Sequence, residues 1–157
     1  MNELLIDIVT PESLSADDIE RLNELESQIF GTGGYPRYFF RQAAEIFDGT
    51  FLVARNTKGK IVAYVLGAVS QHSLDEAWIL SMCVDQPERK KGIGSILLQT
   101  LCKILKEKHV EQVFVTVEPG NEAAQHLYEK DGFVMTTIRE NYHGATYHRY
   151  LMKKKLV

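Results

Sequence analysis

The sequence predicts a mixed α/β fold, and three observations carry that prediction. The chain has 157 residues, the usual size of one domain. It is 45% hydrophobic and 25% charged, which supplies apolar material for one core and excludes a disordered chain. Apolar runs of strand length alternate with segments of helical period in the order βααββ–βα–βα–ββ, a pattern with both hairpins and crossover units.

The elements follow in chain order. Residues 4–9 are a short, mostly apolar run ended by Thr10 and Pro11, and proline does not extend a ladder. Ser15 with Asp18 resembles a capping box, with Asp in place of the usual Glu. Ile19, Leu22, Leu25 and Ile29 then recur at helical spacing, which predicts an amphipathic helix of about 14 residues. Gly31, Gly33 and Gly34 stop it, and residues 31–36 read either as a loop tip or as a substrate-binding loop. Residues 38–47 read as a second, shorter helix.

Residues 51–54 and 61–69 read as the arms of a hairpin whose turn carries Asn56 and Gly59. Residues 77–84 are apolar on both faces, which predicts a central, buried strand. The next helix is expected to turn Ile96, Leu97, Thr100, Leu101, Ile104 and Leu105 inward. Residues 113–117 alternate as a strand. Asn121 then caps a helix carrying Ala124, Leu127 and Tyr128, which Asp131 and Gly132 end. Residues 133–138 and 146–152 read as the last strands, and Lys153, Lys154 and Lys155 as a solvated tail. There is no repeat and no shift in composition, so one domain is expected over residues 1–157.

Charge and cysteine usage narrow the function classes. Eighteen basic against 21 acidic residues give a net charge of -3, which argues against a nucleic-acid footprint. The two cysteines, Cys83 and Cys102, make no disulfide framework and read as reduced thiols. No four-ligand Cys/His spacing marks a zinc site, so no metal is expected. The first residues lack the basic start and apolar run of a signal peptide, and no stretch approaches the ~18 apolar residues of a membrane span. The expectation is a cytoplasmic protein without membrane or nucleic-acid partners, as a monomer or homodimer.

One segment carries chemistry. Arg89, Lys90, Lys91, Gly92, Ile93 and Gly94 lie between the central strand and a helix. Glycines admit close approach of a ligand to the backbone, and a helix start favours negative charge. Three adjacent cations add attraction, and the whole suits a diphosphate. A basic turn without a ligand is the other reading. Gly94 is followed by Ser95 rather than Lys-Ser/Thr, so this is no Walker loop, and Leu97 stands where a dinucleotide fingerprint needs its third glycine.

Arg89-Lys90-Lys91-Gly92-Ile93-Gly94 resembles the Gln/Arg-x-x-Gly-x-Gly/Ala signature of the GNAT acetyltransferases. Val84-Asp85-Gln86-Pro87 is similar to that family's Val-Asp-Pro lead-in, with one extra residue. Downstream, Asn121, Ala124, Leu127, Tyr128, Gly132 and Phe133 resemble its Asn-x-x-Ala-x-x-Leu-Tyr-x-x-x-Gly-Phe block. The resemblance is sharp over residues 77–135. It implies a twisted, mostly antiparallel sheet of six to seven strands with about four helices, splayed at an acetyl-CoA site.

It also implies an acetyl-CoA-dependent N-acetyltransferase acting by direct attack of a primary amine. The backbone of Arg89, Lys90, Lys91, Gly92, Ile93, Gly94 and Ser95 would hold the pyrophosphate. The main chain of Met82, Cys83 and Val84 would pair with the pantetheine arm, and Asn121 would bond to it. Tyr128 would be the general acid that protonates the departing thiolate. A core aromatic is the bland alternative for Tyr128. Cys83 lies on a buried strand without a partnered His, which argues against covalent catalysis.

The general base is less plainly marked. Where some peptide N-terminal acetyltransferases carry Glu or His on the strand before the motif Asn, this chain has Thr116. The other family position for a base falls on Trp78 and Leu80, so Glu76 on the same face becomes the first candidate, ahead of His72 and His143. Acceptor binding is expected from Tyr35 and from the turn holding Tyr142 and His143. Asn141-Tyr142-His143 resembles the Asn-Tyr-Tyr hairpin of ribosomal-protein N-terminal acetyltransferases, which implies a peptide N-terminus as acceptor. A small-molecule amine (polyamine, aminoglycoside or amino acid) and a non-catalytic acyl-CoA-binding module are the alternatives.

Overall fold

A computed structural model describes residues 3–157. Among the described residues, seven strands and four α-helices form a mixed α/β fold, as expected. Strand β1 (Leu5–Ile8) is followed by α1 (Ala16–Phe30), a 3-10 turn (Gly31–Gly33) and α2 (Arg37–Ile46). Next come β2 (Phe51–Arg55), β3 (Ile61–Val69) and β4 (Glu76–Val84). A second 3-10 turn (Gln86–Glu88) leads to α3 (Ile93–Glu107) and β5 (Gln112–Val117). The chain ends with α4 (Glu122–Lys130), β6 (Val134–Arg139) and β7 (Arg149–Lys155).

The sheet order is β1-β2-β3-β4-β5-β7-β6. β1–β2, β2–β3, β5–β7 and β6–β7 are antiparallel, and β4–β5 is parallel. That parallel ladder runs from Glu76↔Gln112 to Ile79↔Val115, whereas β4 itself continues to Val84 and β5 to Val117. The fold divides into two compact units, Met1–Gly67 with Ser81–Leu101 and Ala68–Leu80 with Cys102–Val157.

In the first unit, Ser15 caps α1 reciprocally with Asp18. The Asp18 N–H donates to Ser15 Oγ at 3.1 Å and the Ser15 N–H to Asp18 Oδ2 at 3.1 Å. Such a cap contributes about 1 kcal/mol. Arg55 adds a bidentate bond to the same carboxylate at 2.8 and 2.9 Å. The core of this unit centres on Phe40, Phe51 and Tyr64, whose rings pack edge-on and tilted at centroid distances of 5.5 to 6.4 Å.

In the second unit, α4 starts at Asn121, whose Oδ1 accepts from the Ala124 N–H at 3.2 Å. It ends through Asp131 and Gly132, as the spacing predicts. Ala77, Ile79, Val113, Val115, Phe133, Leu151 and Met152 are buried there.

Five expectations are corrected. The buried stripe of α3 is Ile93, Leu97, Leu98, Leu101, Cys102 and Leu105, while Ile96 is 46% exposed. Period alone placed that stripe a fraction of a turn off. On α1, Ile29 is only half-buried and Glu26 is buried instead. β4 is central, yet only Ala77, Ile79, Ser81 and Cys83 are buried, alternating with half-buried residues. The last strand begins at Arg149, not 146, because Thr146 sits at φ 69°, outside extended space. It consequently runs through Lys153, Lys154 and Lys155, which pair with Phe114, Val113 and Gln112. These lysines form a ladder through their backbones and are no tail.

Candidate active site

Within the first unit, the Arg89–Gly94 segment joins the end of β4 to α3. Its root is clamped. The Asp85 N–H donates to the Val62 carbonyl at 2.8 Å, and Arg21 Nη2 donates to Asp85 Oδ2 at 2.5 Å. Arg21 Nε meanwhile donates to the Ile61 carbonyl at 2.9 Å, so one side chain ties β3 to the lead-in. Arg89 Nε turns back to the Val84 carbonyl at 3.1 Å. Lys91 Nζ pairs with Glu88 Oε2 at 3.0 Å, so its charge is partly offset, contrary to the expectation of three additive cations.

Past this root the backbone is left-handed twice, at Lys90 (φ 63°) and Gly92 (φ 81°). Gly92 is open on its missing side: a Cβ there would meet nothing within 4 Å. Left-handed turns of this kind point successive N–H groups into a concave, anion-binding arrangement. Helix α3 starts immediately after, at Ile93, so the positive end of its dipole and its first N–H groups fall on the same segment. Arg89, Lys90, Lys91 and Gly92 are exposed. These residues fit a diphosphate.

On β4, Met82 and Val84 are half-buried, whereas Ser81 and Cys83 face a buried polar cluster. Glu26, 2% exposed, is its centre. Its Oε2 accepts from Ser81 Oγ at 2.9 Å and from Cys83 Sγ at 3.5 Å, and its Oε1 accepts from the Tyr35 N–H at 3.1 Å. Tyr64 Oη lies 3.0 Å from Ser81 Oγ. Burial pushes the Glu26 carboxyl above its ordinary range, against these three hydrogen bonds. Burial first, and the Glu26 charge second, push the Cys83 thiol far up. That suits an inert thiol and not a nucleophile. Sequence reading missed this cluster. Its one signal is a single acid on the apolar stripe of α1, seven residues after Ile19 and four after Leu22.

Tyr35 stacks on Phe39 at 4.2 Å.

The second unit holds the remaining candidates. Tyr128 is 6% exposed and packs edge-on against Phe133 at 5.4 Å. Asn121 is engaged as the α4 cap. Glu76 opens β4 and shares its half-buried face with Trp78 and Leu80. Trp78 stacks on Phe114 at 5.1 Å, and the Arg139 guanidinium lies 5.6 Å over Trp78 and 5.3 Å over Tyr142. Tyr142 stacks on His143 at 5.3 Å. Their turn is tied by Asn141, whose Oδ1 accepts from the Thr146 N–H at 2.9 Å. Desolvation first and the Arg149 charge second lower the His143 imidazole below its ordinary value. Thr116 is occupied: Arg149 donates to its Oγ1 at 3.3 Å and to its carbonyl at 2.9 Å. His72 is exposed. Among the described residues, no group of three His, Cys, Asp or Glu is placed to hold a metal ion, and no helix is long and apolar enough to cross a membrane.

The model of the acetyltransferase (GNAT) family matches residues 18–133, which include both the Arg89–Gly94 turn and the α4 block. The chain belongs to the GNAT acetyltransferase family. Among GNAT relatives, an N-alpha-acetyltransferase of Sulfurisphaera tokodaii is 29% identical over 132 residues, 78% of each chain. The ribosomal protein bS18-alanine N-acetyltransferase of Escherichia coli is 38% identical over 88 residues, 56% of this chain and 57% of that enzyme. Among solved GNAT structures, Ard1 from Thermoplasma volcanium superposes with a TM-score of 0.84 at 25% identity, covering 98% of both chains. The chain is thus a GNAT N-acetyltransferase, with the family fold over its described length.

Proposed function

We propose that this GNAT protein transfers the acetyl group of acetyl-CoA to the α-amine of a protein or peptide N-terminus. The observation that carries the donor half is the doubly left-handed turn at Lys90 and Gly92, at the head of α3. It supports a reading in which the backbone of residues 89–95 holds the pyrophosphate. The main chain of Met82, Cys83 and Val84 is assigned to the pantetheine arm. Asn121 is assigned a bond to the same arm besides its cap. The acceptor half is supported by relatives whose names describe acetylation of N-termini.

In this reading the neutral amine attacks the thioester carbonyl carbon, a C–N bond forms and the C–S bond breaks. Main-chain N–H near Cys83 or Val84 stabilises the oxyanion. Tyr128 gives its proton to the departing thiolate, and Glu76, directly or through water, takes the proton lost by the amine. Tyr35, Tyr142 and His143 contact the acceptor. The test is acetyl-CoA consumption, followed by release of the free CoA thiol, against peptides of varied first residue and a panel of small amines. Turnover confined to the peptides supports the proposal. Turnover confined to small amines overturns the acceptor, and CoA binding without any turnover overturns the enzyme.

A further inference from the structure

Glu26 joins two segments that the proposed function uses for different substrates. One carboxylate oxygen takes the Tyr35 N–H, in the segment between α1 and α2 assigned to the acceptor. The other takes the Ser81 hydroxyl, one residue before the stretch of β4 assigned to pantetheine. The second bond is shielded from solvent, since Glu26 and Ser81 are 2% and 5% exposed, and the first is part-buried. The Tyr35 N–H, Ser81 Oγ and Cys83 Sγ donate to the carboxylate, and Tyr64 Oη completes the cluster through its contacts with Ser81 Oγ and Cys83 Sγ.

Gly34 shows how closely the acceptor segment is pressed onto this group. Its φ of -80° and ψ of 165° suit any residue, so conformational freedom does not explain the glycine. Space does: a Cβ there would lie 2.9 Å from Glu26 Cγ and 3.3 Å from Phe30 Cβ. We infer that Glu26 is a positioning residue that fixes residues 31–36 against β4, so that the acceptor amine is presented to the thioester carbonyl. This rests on the proposed function for what the segment holds, and on geometry alone for what holds the segment. A carboxylate in such a position touches neither reacting atom, so it acts on acceptor affinity and not on the chemical step.

The experiment compares Glu26→Ala, Glu26→Gln and Gly34→Ala in the full chain. It reads amide hydrogen exchange at Tyr35, the dissociation constant of CoA, and KM and kcat for a peptide acceptor. In Glu26→Ala, exchange at Tyr35 rises about tenfold or more and acceptor KM about fivefold, while CoA affinity holds within about twofold. Glu26→Gln restores most of the protection, because its amide oxygen accepts the same N–H. Gly34→Ala keeps the carboxylate and displaces the segment, so it reproduces both effects even if Glu26→Ala does not fold. Wild-type exchange at Tyr35 and wild-type acceptor KM in folded Glu26→Ala and Gly34→Ala overturn the inference. A chain that transfers no acetyl group overturns the proposed function only, since the exchange measurement then still decides whether Glu26 holds the segment.

Discussion

Arg89 Nε donates to the carbonyl oxygen of Val84 across 3.1 Å, which folds this side chain, the first cation of the turn assigned to the pyrophosphate, back to β4. Together with the Lys91–Glu88 pair at 3.0 Å, this supports placing the proposed pyrophosphate contact on backbone N–H groups more than on side-chain charge. The prediction is that Gly92 matters more than any single cation. At φ 81° a side chain is strained by about 1–2 kcal/mol, and a glutamate adds repulsion at the diphosphate. Gly92→Glu is expected to abolish CoA binding, and Lys91→Ala to weaken it by less than about tenfold. Calorimetric titration with CoA checks both.

Tyr128 is assigned the proton for the leaving thiolate. Phenylalanine keeps its edge-on packing on Phe133. Tyr128→Phe is therefore expected to lower kcat by about 100-fold with CoA affinity held, the usual scale for loss of a general acid. Steady-state kinetics beside CoA titration separates the two. Equal kcat in wild type and variant removes the role.

Cys83 is expected to be dispensable for chemistry. Burial and the Glu26 charge hold its thiol far above its ordinary value of 9.0, so it stays protonated at neutral pH. Cys83→Ala should keep kcat within about threefold, and the folded wild type should react with a thiol reagent far more slowly than the unfolded chain. Trapping an acetyl group on Cys83 by mass spectrometry contradicts this.

Asp18 links stability to pH. The Arg55 hydrogen bonds, opposed by burial and aided by Ser15, lower its carboxyl below the ordinary 3.8. A depressed folded value means stability that is present above pH 3.8 and lost as pH falls through the folded value. Glu26 has the opposite sign: its raised carboxyl favours the folded state below its ordinary value of 4.5 and loses that contribution as pH rises. Asp18→Asn is expected to lower the urea midpoint at neutral pH and to flatten its decline below pH 3.8. A decline as steep as the wild type's contradicts the assignment to Asp18.

The fold was legible where local chemistry dictates it. Ser15, Asn121 and the Asp131-Gly132 stop are short-range signals, and each caps or ends its helix as read. The Arg89–Gly94 turn was legible because glycines and cations at a strand–helix junction form a local pattern. The Lys153–Lys155 ladder was not, since those residues are in a strand only through pairing with β5, and Lys153 with β6 as well, which their charge conceals. Glu26 was not legible either. Its partners lie nine, 55 and 57 residues away at Tyr35, Ser81 and Cys83, and only tertiary structure brings them together. Thr116, read as an empty base position, is held by Arg149 from β7, another contact without a local signature.

The central claim is acetyl transfer to an α-amine, and the most direct test is site-resolved mass spectrometry. Peptides with a free N-terminus and an internal lysine are incubated with acetyl-CoA and the protein, and the modified nitrogen is located by fragmentation. The account predicts one acetyl group on the α-amine, none on the lysine, and none on either with Tyr128→Phe at matched early times. Acetylation of the lysine alone, or of the α-amine at undiminished rate in Tyr128→Phe, contradicts it.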